Sequence, residues 1–154
     1  MVLWRISIFH DLQGMGGEFG NGRWHTPAKA KRIVYLTEHP AVSLLEVLVN
    51  LKSRPKDGAD EYQLLRIGCA EEVEAERIVE SSLVSAWREK FAATQAIGDE
   101  WLKSQRTALL AVPSAPSPES TNYLLNPLHP DARKFKIDWR RWLRYDERFF
   151  RVSE

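Results

Sequence analysis

The chain has 154 residues, enough for one domain with a sizeable core, and its composition is ordinary for a globular protein. Its formal net charge of +1 gives no bulk attraction to nucleic acid. Cys69 is the sole cysteine, which excludes an intrachain disulfide and a cysteine metal cluster. No apolar run approaches a membrane span and no secretory leader is recognisable, so the expected compartment is the cytoplasm.

Leu3 to Phe9 is rich in strand formers and predicts a strand, with Arg5 and Ser7 on one side and Trp4, Ile6 and Ile8 on the other. Asp11 to Gly22 is a glycine-rich loop ending in Arg23 and Trp24. It matches neither the phosphate loop of nucleoside triphosphatases nor the dinucleotide fingerprint. Arg32 to Thr37 predicts a second strand, Ile33, Tyr35 and Thr37 facing one way and Val34 and Leu36 the other. Pro40 suits the first position of a helix capped by His39 or Glu38 and ending near Asn50, with Ala41, Leu44, Leu45 and Leu48 as its apolar stripe.

A polar turn is expected from Ser53 to Asp60 and a third strand from Tyr62 to Cys69. Glu71 to Glu80 is acidic and less regular. Leu83, Trp87 and Phe91 lie at helical spacing over 82–93, and a second short helix is expected over 98–106. Thr107 to Val112 predicts a buried strand stopped by Pro113. Three prolines before Glu119 make 113–130 a stiff surface loop instead of a central strand. Lys134 to Trp139 and the R-F-F-R-V near the end suggest two last strands. The tail after Ala132 is basic, with aromatics between the charges. No repeat or linker divides the chain, so the expected fold is a single mixed α+β domain over 1–154.

Among polar side chains, Glu46 is the hardest to explain, because Leu44, Leu45, Val47, Leu48 and Val49 surround it. A carboxylate in apolar company needs a donor, and Arg23 is the natural one. Ser114, just past a strand end, is either a functional hydroxyl or a turn serine. The four histidines show no zinc spacing and read as surface or loop residues, so no metal site is expected. Arginines beside a glycine turn suit a phosphate-bearing ligand. One carboxylate suits a developing oxocarbenium charge, and Trp24 or Tyr35 suits stacking on a ring. These residues allow an enzyme acting on a nucleotide sugar. They equally allow a buried Arg23–Glu46 pair and nothing more.

The ordered set W-R-I, G-R-W, V-Y-L followed by A-V-S-L-L-E-V-L-V, I-G-D-E-W-L, V-P-S-A and N-Y-L-L-N-P-L-H-P covers nearly the whole chain and resembles the RES-domain family. The resemblance implies a toxin of a bacterial toxin–antitoxin pair with a fold similar to ADP-ribosyltransferases. The family's name-giving arginine, glutamate and serine fall on Arg23, Glu46 and Ser114; its tyrosine falls on Tyr35, its first-strand arginine on Arg5, and its asparagine on Asn122. The implied catalytic set is Arg23, Tyr35, Glu46 and Ser114. The implied binding set adds Arg5, Trp24 and Asn122.

The implied substrate is NAD⁺, with inorganic phosphate as co-substrate and no prosthetic group. The reaction would be phosphorolysis to nicotinamide and ADP-ribose-1''-phosphate. The alternatives are NAD⁺ hydrolysis, ADP-ribosyl transfer to a protein, or an inactive antitoxin-binding protein. In that mechanism Arg23 and Arg5 hold phosphate, Glu46 binds the ribose hydroxyls, Tyr35 lies on the nicotinamide-ribose side, and Ser114 binds a phosphate oxygen. The implied partner is an Xre-like antitoxin that blocks the pocket, and DNA would be met only through it. Trp139 and Trp142 are candidates for contact with that partner or with a second copy in a homodimer. The family's G-G-R-W-N is N-G-R-W-H here, so Asn21 and His25 change the lip of the turn.

Overall fold

The computed structural model of the chain describes residues 1–51 and 62–151. Seven strands form one sheet: β1 (Val2–Ser7), β2 (Val34–Thr37), β3 (Gln63–Gly68), β4 (Ala75–Arg77), β5 (Leu109–Pro113), β6 (Thr121–Leu125) and β7 (Lys136–Trp142), in the order β4-β5-β6-β2-β1-β3-β7. All pairings are antiparallel except β4 with β5. Among the described residues two α-helices, α1 (Pro40–Asn50) and α2 (Phe91–Ser104), complete an α+β architecture. Among the described residues no helix is long and apolar enough to cross a membrane.

Period-two alternation on the central strands builds two cores, one on each face. Val34, Leu36, Leu109 and Leu125 join Leu3, Leu65 and Ile67 on one side. Ile33, Leu110, Val112 and Leu124 join Trp24, Trp87 and Trp101 on the other. The expected split of Ile33 and Tyr35 from Val34 and Leu36 follows this division.

Several expectations are corrected. The expected loop at 113–130 contains β6, a central strand between β5 and β2. The prolines only close the turn before it, where the Ser114 amide donates to the Ser120 carbonyl at 3.0 Å. The expected helix over 82–93 is broken into turns up to residue 90, where Ala86 takes a left-handed backbone with φ 55°, and only its last three residues, 91–93, are helical, as the start of α2. α2 is instead one continuous helix. The R-F-F-R segment is a 3₁₀ turn, not a strand. The polar turn expected at 53–60 lies outside the described residues.

α1 starts and ends where expected, with the His39 ring accepting from the Ala41 amide. Its stripe is turned, however: Ala41 and Leu45 are exposed and Leu44 and Leu48 only partly buried, while Val42 and Ser43 are buried. Ser43 is seated by its hydroxyl, 2.6 Å from that of Thr37 on β2. A polar anchor, not the leucine stripe, sets the rotation, and it carries Glu46 to the same side.

Candidate active site

A cleft of about 780 Å³ opens on the tryptophan-rich face. It is lined by Arg5 and Ile6 of β1, the Gly20–His25 turn, Tyr35 of β2, Glu46 of α1, Asn122 of β6, and by Arg88 and Phe91. Among the described residues that line it, Glu46 is the sole carboxylate.

The sheet positions the donors that hold Glu46. Val112 pairs with Asn122 and Asn122 with Thr37, so all three side chains share a face. Ser114 lies two residues beyond Val112, on that same face, where the β5–β6 turn closes. The Ser114 hydroxyl donates to Glu46 Oε1 at 2.8 Å, and Asn122 Nδ2 donates to the same oxygen at 2.5 Å. Ser114 is fully buried and Asn122 nearly so, whereas Glu46 is half-buried and faces the cleft. The expected donor, Arg23, makes no ion pair with it among the described residues. Glu46 is thus a carboxylate held by two neutral donors, and the idea of a buried Arg23–Glu46 pair is set aside.

Arg23 lies across the cleft. Its guanidinium sits 4.3 Å from the Phe91 ring centroid and 5.5 Å from that of Trp87, and Nη1 donates to the Arg88 carbonyl at 2.9 Å. Burial lowers its pKa, with Glu46 pulling the other way. Its backbone is clamped by α2. Thr94 Oγ1 donates to the Arg23 carbonyl at 2.7 Å and Gln95 Nε2 to the Gly22 carbonyl at 3.0 Å. Gly98 lets the helix approach the Trp24 carbonyl, and Asp99 accepts from the Thr26 hydroxyl at 2.6 Å and from Lys31 at 2.7 Å. The I-G-D-E-W-L motif therefore acts by fixing the arginine turn.

Tyr35, Trp24 and His25 form one unit. The Tyr35 hydroxyl accepts from the Trp24 amide at 3.1 Å and lies 2.8 Å from His25 Nδ1. Gly22 is required beside it, since a Cβ there would stand 2.5 Å from His25 Nδ1. Burial raises the Tyr35 pKa and lowers that of His25. His25 is 4 % exposed, which corrects the surface reading of that histidine. The Trp24 indole is 1 % exposed and belongs to the core, so it does not stack on a ligand ring as expected. Arg5 closes the opposite end, donating to the Asp11 carbonyl at 2.7 Å; burial pushes its pKa down to about 10 against the pull of Asp11. Ser114, expected to bind phosphate, has its proton on Glu46. Asn126 and His129, in contrast, serve the loop itself, accepting from the Leu128 and Asp131 amides.

The RES domain model matches residues 2–146, and this chain belongs to the RES-domain family. It is 39% identical over 137 residues to "Toxin Res" of Pseudomonas putida, covering 89% of this chain and 92% of that protein. It is 40% identical over 161 aligned positions to the "Prs ADP-ribosylating toxin" of a Sphingobium species, covering 97% of each. A chain in the crystal structure of the M. tuberculosis MbcT–MbcA toxin–antitoxin complex has the same fold, with a TM-score of 0.73, 16% identity, and 92% and 83% of the two chains covered.

Proposed function

We propose that this chain is the toxin of a toxin–antitoxin pair and that it consumes NAD⁺ by breaking the nicotinamide–ribose bond. The observation that carries this reading is the single carboxylate, Glu46, held by Ser114 and Asn122 on one wall of a cleft whose other walls carry arginines. Nicotinamide departs from NAD⁺ as a neutral molecule, so the reaction needs no general acid. That removes the second carboxylate of an ordinary glycosidase. What remains is to favour positive charge at C1'' and to hold the phosphates, and Glu46 and the arginines suit those two tasks.

In this mechanism Glu46 accepts from a ribose hydroxyl through its free oxygen. Ser114 and Asn122 are positioning residues that keep the carboxylate aimed. Tyr35 holds the turn bearing Arg23. The acceptor we favour is inorganic phosphate: one of its oxygens bonds to C1'' as the C1''–nitrogen bond breaks. The products are nicotinamide and ADP-ribose-1''-phosphate. The second reading, transfer of ADP-ribose to a protein, is favoured by the name of the Sphingobium relative. The antitoxin would act by covering the cleft.

Nicotinamide release from NAD⁺, with and without phosphate and with products weighed by mass spectrometry, tests this. A phosphate-dependent ADP-ribose-phosphate is the expected product. Phosphate-independent ADP-ribose would replace phosphorolysis by hydrolysis. No release from NAD⁺ by the purified protein alone, together with release of nicotinamide and transfer of labelled ADP-ribose to a protein when extract is added, would establish the second reading. The absence of both release and transfer would refute the enzyme assignment.

A further inference from the structure

We infer that Arg88, which lies outside the motifs that carry the resemblance, completes with Arg23 a two-arginine seat for a phosphate-type oxyanion on the wall of the cleft facing the 113–116 turn. This rests on reading the cleft as the NAD⁺ site.

Both guanidiniums lie against one indole. Arg23 is 5.5 Å and Arg88 5.0 Å from the centroid of Trp87, which is itself buried. The indole is fixed by its own N–H, which donates to Glu80 Oε1 at 3.0 Å. Ala86, immediately before it, holds a left-handed φ of 55° without being glycine. Such a conformation costs energy and persists only where the surroundings enforce it. Here it breaks what would otherwise read as a helix and sends Trp87 into the core while Arg88 reaches the cleft.

Arg88 is tied down on two sides. Nε donates to the Ala115 carbonyl, the residue after Ser114, at 3.1 Å, and Nη2 donates to Glu80 at 3.0 Å. Its Nη1, and Nε and Nη2 of Arg23, have no protein acceptor among the described residues. Three N–H-bearing nitrogens from two cations therefore remain for a ligand. The two cations also oppose each other, since Arg88 is one of the groups that lowers the Arg23 pKa. An oxyanion between them removes that repulsion and supplies the missing acceptors, and the guanidinium fork matches phosphate oxygens. The anion has two sources in this reaction: the pyrophosphate of the dinucleotide or the free phosphate that attacks it.

Calorimetric titration of the intact protein with ADP-ribose and, separately, with inorganic phosphate distinguishes them without requiring turnover. Arg88→Gln is expected to weaken one ligand about tenfold, equivalent to ~1.4 kcal/mol. Loss confined to ADP-ribose identifies the pyrophosphate seat; loss confined to phosphate identifies the co-substrate seat. Glu80→Gln is the control, because it retains an acceptor for Trp87 while removing a negative charge. Its anion affinity is expected to hold or rise. Equal weakening in both variants would reduce Arg88 to a structural brace and overturn the inference, as would wild-type binding of both ligands by Arg88→Gln. A protein that binds phosphate through Arg88 yet never cleaves NAD⁺ would keep the seat and lose the reaction. NAD⁺ cleavage with anion binding indifferent to Arg88 would do the reverse.

Discussion

Replacing Gly98 by alanine tests whether α2 holds the arginine turn. A Cβ at this position would stand 2.8 Å from the carbonyl carbon of Trp24 and 3.1 Å from its Cβ, and closer still to its carbonyl oxygen. The obstacle is backbone, so no rotamer change relieves it. Restoring ordinary carbon–carbon contact at about 3.4 Å requires α2 to retreat by roughly 0.6 Å or more. The same retreat stretches the bonds from Thr94 and Gln95 to the Arg23 and Gly22 carbonyls. Overpacking costs ~1–3 kcal/mol, and a backbone obstacle places Gly98 near the upper figure. Alanine's better helix propensity offsets about 1 kcal/mol of that. A net loss of ~2 kcal/mol, at roughly 2–4 °C per kcal/mol for a chain of this size, lowers the melting temperature by about 4–8 °C. Nicotinamide release should fall at temperatures well below the melt, because the turn that aims Arg23 has moved. The sign is decisive. A helical glycine with open space around it gains stability on becoming alanine, so an unchanged or raised melting temperature would refute the clamp.

Glu46→Gln conserves volume and removes the charge. It should cost at least ~100-fold in nicotinamide release with little change in the melting curve, and full activity would remove Glu46 from the mechanism. Ser114→Ala and Asn122→Ala each delete one donor to the same oxygen. Hydrogen bonds to charged groups contribute ~1.5–3 kcal/mol, so each should slow turnover roughly 10–100-fold. The double variant should lose less than the product of the two, and strictly multiplicative losses would show that the donors do not act through one carboxylate. His25 has a folded pKa held below 6.5 by burial, with Lys31 lowering it and the Gly20 carbonyl and Asp99 raising it. A depressed base binds fewer protons folded than unfolded, so its stabilising contribution is complete above pH 6.5 and is lost as pH falls through the folded value. Melting curves across that window should slope downward toward acid, and less steeply for His25→Asn; parallel slopes would deny His25 that role.

Side chains whose role is set locally were legible in the sequence. Pro40 at the start of α1 and the two faces of β2 follow from spacing alone, and of the two cap candidates, His39 and Glu38, His39 is the cap. Arg5, Arg23, Tyr35 and Glu46, singled out through the ordered motifs, line one cleft. What failed depended on distant partners. The turned face of α1 comes from the Ser43–Thr37 contact. β6 was hidden because its prolines belong to the preceding turn, while Leu124 and Leu125 alternate between two cores. Arg88 was hidden because Leu83, Trp87 and Phe91 imitate a helical stripe that the left-handed Ala86 forbids. Trp24 was given a ligand to stack on, whereas its indole lies in the core and its amide donates to the Tyr35 hydroxyl.

The cleft itself has a cause in strand pairing. β1 and β2 are neighbours, yet Trp4↔Thr37 is their sole paired position. Continuing that register would set Arg5 opposite Leu36 and Ile6 opposite Tyr35. Those pairs are not made, and all four residues line the cleft instead. Each flanking ladder is complete: β3 holds β1 from Val2 to Ser7, and β6 holds β2 from Val34 to Thr37. The two halves of the sheet are therefore continuously paired up to the seam and part only there. That places Arg5 on one half, and Tyr35 with the donors to Glu46 on the other. A site built across such a seam needs residues far apart in sequence, and it needs its glutamate on a helix that bridges the opening, as α1 does.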